Sequence, residues 1–311
     1  MQTNAPYLLL CSREPHNELV AAEVHQLTGS EVDAFGVAFC SDLTHVPRSA
    51  YIQASVKILA QATEFDDLVR EIQEKQIVAQ EFKIEYMQRA SHHLMPTRDV
   101  IVPVADSLLG HPNLRDYAEK YVLAELENGW VFGRLEAGPD RLYEAHAGKP
   151  YHTSSSLPSR IARALVNLAA QPQGHLLNPF CGTGSLLLEA CAVGYAVQGA
   201  DKNTSMVGMS RKNLAHFGYS CSVEQLDVRQ WSAQGDALVA DLPYDKNSKV
   251  SEEELLEILS WGAQASPIAV YTAGRDLTTE LLATGYERVE VFKVLKRNGY
   301  IRYVHRCRRS L

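Results

Sequence analysis

Residues 178–190, NPFCGTGSLLLEA, restrict the fold more than any other stretch of this 311-residue chain. The apolar run ending at Asn178 predicts a buried strand, Cys181 to Gly184 a glycine turn, and the leucine-rich run from Ser185 a helix. A glycine turn between a strand and a helix lets backbone N–H groups face a ligand with no Cβ in the way. Alone, the pattern is a weak pointer to a nucleotide-like ligand.

The sequence around this turn alternates helix and strand, as a doubly wound parallel sheet requires. Leu157, Ile161, Leu165 and Leu168 form one stripe of a helix ahead of the turn. AVQGAD is a second strand ending in Asp201, SVEQLD a third ending in Asp227, and ALVADLP a fourth running into Asp241-Leu242-Pro243-Tyr244. A helix closed by Gly218 follows the second strand, and Ser251 with Glu254 forms a capping box that opens another. PIAVYTA is the fifth strand, and two β-rich runs around Arg297-Asn298-Gly299 close the chain as an antiparallel pair.

The first part reads as α+β. Strands are expected near residues 7–12, 32–40, 51–62 and 81–88, with a helix over 65–76 and another opened by Pro15 and closed by Gly29. Tyr121–Leu126 and Trp130–Leu135 flank Asn128-Gly129, which predicts a type I′ hairpin. Periodicity fails from about residue 138 to 157. The expected division is therefore an α+β region over 1–138, a linker over 139–156 and the parallel-sheet domain over 157–311.

Composition narrows the class. The apolar runs are far shorter than the ~20 residues that span a bilayer, and the start of the chain lacks a basic leader. The six cysteines show no C-x-x-C spacing, so a reduced, cytoplasmic protein without zinc or disulfides is expected. The net charge of −7 argues against a general nucleic-acid coat but permits local patches. Lys293 to Arg309 holds seven Lys or Arg and no acid, one place for RNA to bind.

In an open α/β sheet, ligands lie beyond the carboxyl ends of the strands, where all the candidates fall. Gly182 and Gly184 would admit the methionine part of S-adenosylmethionine. Asn178 and Thr183, beside Cys181, could bond its charged groups. Asp201, with Lys202, could take the ribose hydroxyls, and Asp227, with Val228, the adenine side. A dinucleotide fold would want a third glycine at position 187, which is Leu. Asp241-Leu-Pro-Tyr244 separates the two, since hydride transfer has no use for it. An exocyclic amine on a base is a poor nucleophile because its lone pair is delocalised into the ring. Asp241 and the Leu242 carbonyl could accept its two N–H bonds, Pro243 would fix their direction, and Tyr244 offers a stacking face. These residues predict methyl transfer to an amino nitrogen. The boundary loop, with Lys149-Pro150-Tyr151 followed by Ser and Thr, could touch cofactor or phosphate.

KPYHTSSSLPSRIARALVNLA, NPFCGTGSLLLEA, GADKNTSMVGMSRKNLAHFG and DLPYDKNSK together resemble the THUMP-containing tRNA guanosine-N2 methyltransferases that modify position ten of tRNA. The resemblance covers residues 149–249 most specifically. It implies a Rossmann-like methyltransferase domain preceded by a ferredoxin-like and THUMP-like RNA-gripping region, with S-adenosylmethionine as donor and a tRNA guanosine as acceptor. By position, Asp241, Pro243 and Tyr244 match the family's D-x-P-Y, Gly182 and Gly184 its cofactor turn, and Asp201 and Asp227 its ribose- and adenine-side acids. Two places depart: Asn178 stands where members often have Asp, and Asp245-Lys246 where they often have Gly-Arg. A small activating subunit, as eukaryotic relatives use, is a further implied partner. The alternatives are an adenine-N6 or glutamine methyltransferase, and an RNA-binding module without catalysis.

Overall fold

The computed structural model describes residues 5–14, 17–90, 96–136, 138–169, 174–243, 250–296 and 299–310. Two units form. The first comprises Met1–Glu14, Leu27–Pro47 and Tyr51–Pro139, and the second Pro15–Gln26, Arg48–Ala50 and Asp140–Leu311.

In the first unit, β1 (Tyr7–Cys11), β2 (Val37–Cys40), β3 (Ile52–Ala62), β4 (Phe82–Arg89), β5 (Glu119–Leu126) and β6 (Gly129–Leu135) form one sheet in the order β2-β1-β3-β6-β5-β4. Only β4 and β5 run parallel. Two helices, numbered α2 (Phe65–Glu74) and α3 (Thr97–Asp106) after α1 (Leu19–Thr28), share a core with the sheet. Leu68, Ile72, Val100 and Val104 pack with Phe82 and Phe132. Helix α3 is absent from the sequence expectation, and its one interior proline is Pro103. It falls in the last turn, where the Ser107 hydroxyl donates to its carbonyl at 2.7 Å.

The hairpin differs in detail from its expected turn. Leu126 pairs with Gly129, so Glu127-Asn128 form the tip and Asn128 has no positive φ. Gly129 instead takes φ +143°, and a Cβ there would lie 2.5 Å from the Ala62 carbonyl oxygen. The glycine serves a close strand approach, not a type I′ turn.

The second unit has helices α4 (Leu142–Ala147), α5 (Ser159–Ala169), α6 (Ser185–Ala192), α7 (Thr204–His216), α8 (Glu252–Ala265) and α9 (Thr278–Ala283). Its strands are β7 (His175–Asn178), β8 (Ala196–Asp201), β9 (Ser222–Gln225), β10 (Ala237–Asp241), β11 (Ile268–Ala273), β12 (Arg288–Leu295) and β13 (Ile301–Arg308). They lie in the order β12-β13-β11-β10-β7-β8-β9. The five from β11 to β9 are parallel, and β13 runs antiparallel between β11 and β12. This is the expected Rossmann-like sheet. The Ser251–Glu254 capping box opens α8 as expected.

Helix α1 contributes to this unit. Glu23, fully buried, accepts from the Ser49 hydroxyl (2.7 Å), Ala50 N–H (2.8 Å) and Asn167 Nδ2 on α5 (2.6 Å). The three donors satisfy acceptor oxygens that burial takes away from water. The basic run 293–309 is not one solvated face, because Arg302 and Arg306 are buried and Arg306 is bonded to Glu290 and Gln26.

Candidate active site

The glycine turn is built by backbone geometry that side chains would spoil. Gly182 has φ +53° and Gly184 φ +87°. A Cβ on Gly184 would sit 2.7 Å from the Ser210 Oγ of α7, whereas a Cβ on Gly182 would meet open space. One glycine permits packing; the other leaves room above the turn. Cys181 N–H donates to Ala200 O at 2.9 Å, tying the turn to β8. Burial pushes the Cys181 thiol up to about 12, so it is neutral and packs as a small hydrophobe.

Asn178 ends β7 fully buried. Its Nδ2 donates to Val239 O on β10 at 3.1 Å, while its Oδ1 has no partner among the described residues. Thr183 is held at two points. Its hydroxyl lies 3.0 Å from that of Ser156, and its carbonyl accepts from Asn213 Nδ2 at 2.8 Å.

Asp201 ends β8 directly beside the turn. Its Oδ2 accepts Gly182 N–H and its Oδ1 accepts Asn203 N–H, each at 2.9 Å. The carboxylate therefore orders the glycine loop while each oxygen keeps a further lone pair. Lys202, next in sequence, is exposed. Asp227, just past β9, is engaged differently. Arg229 donates to it from the backbone and from the guanidinium, at 2.7 Å to Oδ2. That side-chain hydrogen bond, foremost, holds its pKa down to about 2. Val228 turns its side chain into the core.

Asp241 ends β10 and pairs in register with Thr272 of β11, whose hydroxyl donates to its Oδ1. Leu242 N–H donates to Thr272 O at 3.0 Å, so the chain stays extended past the acid, and the Leu242 side chain is buried. Pro243 is half-buried. Tyr244 lies outside the described residues.

The strands carrying Asn178, Asp201 and Asp241 are neighbours with their carboxyl ends on one edge. Asp227 follows β9, three strand positions from Asp241, or roughly 14 Å at the usual strand spacing. An elongated ligand is the shape that edge can span.

Several supporting residues escaped the sequence reading. Thr272 orients Asp241, and nothing in a β-branched strand residue signals this. Asn213 bonds both the N–H (3.0 Å) and the carbonyl (2.7 Å) of Tyr151 as well as Thr183 O; its signal was an amide on the buried side of α7. Glu189, fully buried on α6, takes Arg163 Nε and His146 Nδ1–H, both at 2.8 Å. An acid within an otherwise apolar helix run was its signal.

Five parallel strands, an antiparallel closing pair, a glycine turn after the first parallel strand and carboxylates after the next three define a Rossmann-like methyltransferase domain. Residues 147–260 match the family model described as RMKL-like, methyltransferase domain. The chain is similar to tRNA (guanine(10)-N2)-dimethyltransferase of Methanothermobacter thermautotrophicus, 28% identical over 280 residues, covering 79% of this chain and 80% of that protein. It is also similar to bovine (Bos taurus) U6 snRNA (guanine-N(2))-methyltransferase THUMPD2, 31% identical over 115 residues, covering 34% of this chain and 23% of that protein. Among solved structures, TrmN from Thermus thermophilus shares the fold with a TM-score of 0.55 at 17% identity, over 98% of this chain and 99% of that one. No helix among the described residues is long and apolar enough to cross a membrane.

Proposed function

We propose that this chain transfers a methyl group from S-adenosylmethionine to the exocyclic N2 amine of a guanosine in tRNA, position ten being the one named for its archaeal relative. The observation that carries the reading is Asp241, held by Thr272 on the edge shared with the glycine turn and Asp201. The chain's residues fit the donor. Open space over Gly182 and the Asn178 Oδ1, which has no partner among the described residues, suit its amino-acid end, and the spare lone pairs of Asp201 suit its ribose.

When bound, S-adenosylmethionine supplies an electrophilic methyl carbon. The guanine amine needs help to attack it. Asp241 and the Leu242 carbonyl accept its N–H bonds and return electron density to nitrogen, and Asp241 receives the proton that nitrogen gives up. Thr272 fixes the carboxylate's rotation, an orientation effect. Pro243 limits the backbone beside it, and Tyr244 offers a face for the base. The base must be single-stranded or extruded. The α+β region within 1–138, apart from the 15–26 and 48–50 segments that belong to the second unit, is read as the THUMP-like RNA-gripping part. Cytoplasmic residence belongs to the same reading, and the net charge of −7 favours help from a small partner subunit in holding RNA. The bovine relative favours a second acceptor, a small nuclear RNA, with the same chemistry.

Incubation with unmodified tRNA and S-adenosylmethionine is expected to yield N2-methylguanosine by nucleoside mass spectrometry. Asp241→Ala is expected to lower kcat by roughly 100-fold or more while leaving cofactor affinity nearly unchanged. N6-methyladenosine as product, or full activity in the folded variant, refutes the assignment.

A further inference from the structure

A cavity of about 430 Å³ opens between α4 and the start of α5, with Glu144, Lys149, His152, Ser156, Ser159 and Arg160 on its wall. It lies one hydrogen bond from the glycine turn, since the Ser156 hydroxyl bonds that of Thr183. Lys149 is only 6% exposed, and its ammonium has no hydrogen-bond or ion-pair partner among the described residues. Burial pushes its pKa down, and the attraction of Glu189 opposes this. Glu189 is already committed to Arg163 and His146. The ammonium opens onto the cavity, and an anion there would give it the bonding partner it lacks. The first turn of the eleven-residue α5 forms another part of the wall and adds backbone N–H groups and the positive end of its dipole. Ser159, 5% exposed, also has no hydroxyl partner among the described residues. The one acid on the wall, Glu144, is exposed and lies 3.7 Å from Arg141.

We propose that this cavity takes a phosphate group of the RNA backbone, with Lys149 as its cation and Ser159, Arg160 and the α5 amides as further donors. The inference rests on the RNA-methyltransferase reading and deepens it. A base delivered to Asp241 brings its own backbone to this edge. A phosphodiester seated at Lys149 sets the strand's position and carries no sequence information.

The test uses the full chain and the variants Lys149→Met, which keeps side-chain length without charge, and Lys149→Arg. Unmodified tRNA is titrated at several salt concentrations, and S-adenosylmethionine affinity is measured in parallel. Lys149→Met is expected to weaken tRNA binding about five- to tenfold at moderate salt and to make the salt dependence shallower by about one phosphate contact. Cofactor affinity should not move, and Lys149→Arg should retain most of the tRNA affinity. Unchanged tRNA affinity and salt slope overturn the proposal. So does an equal loss of cofactor affinity, which would assign the cavity to the cofactor's carboxylate. Should the wild type methylate no RNA, the parent reading fails and inorganic phosphate alone decides the site. Phosphate, against a chloride control, must then raise the wild-type melting temperature more than that of Lys149→Met or Ser159→Ala; equal shifts overturn the proposal.

Discussion

Replacing Asp201 by asparagine is expected to loosen the glycine turn before any ligand arrives. Its two oxygens each take one backbone N–H, from Gly182 and from Asn203, both at 2.9 Å. An amide has one oxygen for those two donors, so one bond is lost and an NH2 group is set against an N–H. A hydrogen bond to a charged group is worth about 1.5–3 kcal/mol. At 1.4 kcal/mol per factor of ten, the loss is roughly 10- to 100-fold. In the ligand-free protein it is read as faster amide exchange at Gly182 by NMR. In calorimetry it is read as S-adenosylmethionine affinity weakened by a similar factor, because binding must now re-form the turn. Unchanged exchange together with unchanged affinity would refute the reasoning. An affinity loss without faster exchange would mean that Asp201 acts on the ligand alone.

Two further outcomes follow from buried polar groups. Glu189→Ala leaves the fully buried Arg163 with the partly exposed Asp140 (3.1 Å) as its ion-pair partner, takes the Nδ1 partner from His146, and is expected to cost about 3–5 kcal/mol in urea unfolding; a loss under about 1 kcal/mol would contradict the network. His305, wholly buried, accepts Leu277 N–H at Nε2 (2.9 Å), and burial holds its pKa below the ordinary value against the pull of Asp276. A base depressed in the folded state stabilises it above the unfolded pKa near ~6.5 and loses that contribution as pH falls below it. Melting temperature should therefore drop from about pH 7 to about pH 5 more steeply in the wild type than in His305→Gln; parallel profiles would count against it.

Much of the second unit was legible because its signals are local. Strand, glycine turn and helix at 175–192 follow from period and turn chemistry, and each acid at a strand end is visible as such. What stayed hidden depends on pairing between distant segments. Thr272 matters only because β11 lies in register with β10. Ser156 matters only because its loop reaches Thr183. Gly129 was read as a turn residue when it is a contact residue, since Ala62 lies far off in sequence. Helix α3 was not read at all, and Pro103 in its final turn breaks little. The basic run at the chain's end was read as a surface, and the β13 side chains of Arg302 and Arg306 turn inward.

The division of the chain has a consequence for how it is made. Helix α1 is synthesised before almost all of the first sheet, yet Glu23 finds its amide partner at Asn167, 144 residues later. The catalytic unit thus starts near the N-terminus, is interrupted twice, and closes only when β13 arrives at Ile301–Arg308. Its carboxylate must wait, solvated, through most of translation. A cut at residue 139 would therefore not release an intact catalytic unit, and a nascent chain should become resistant to proteolysis in its second half only near full length.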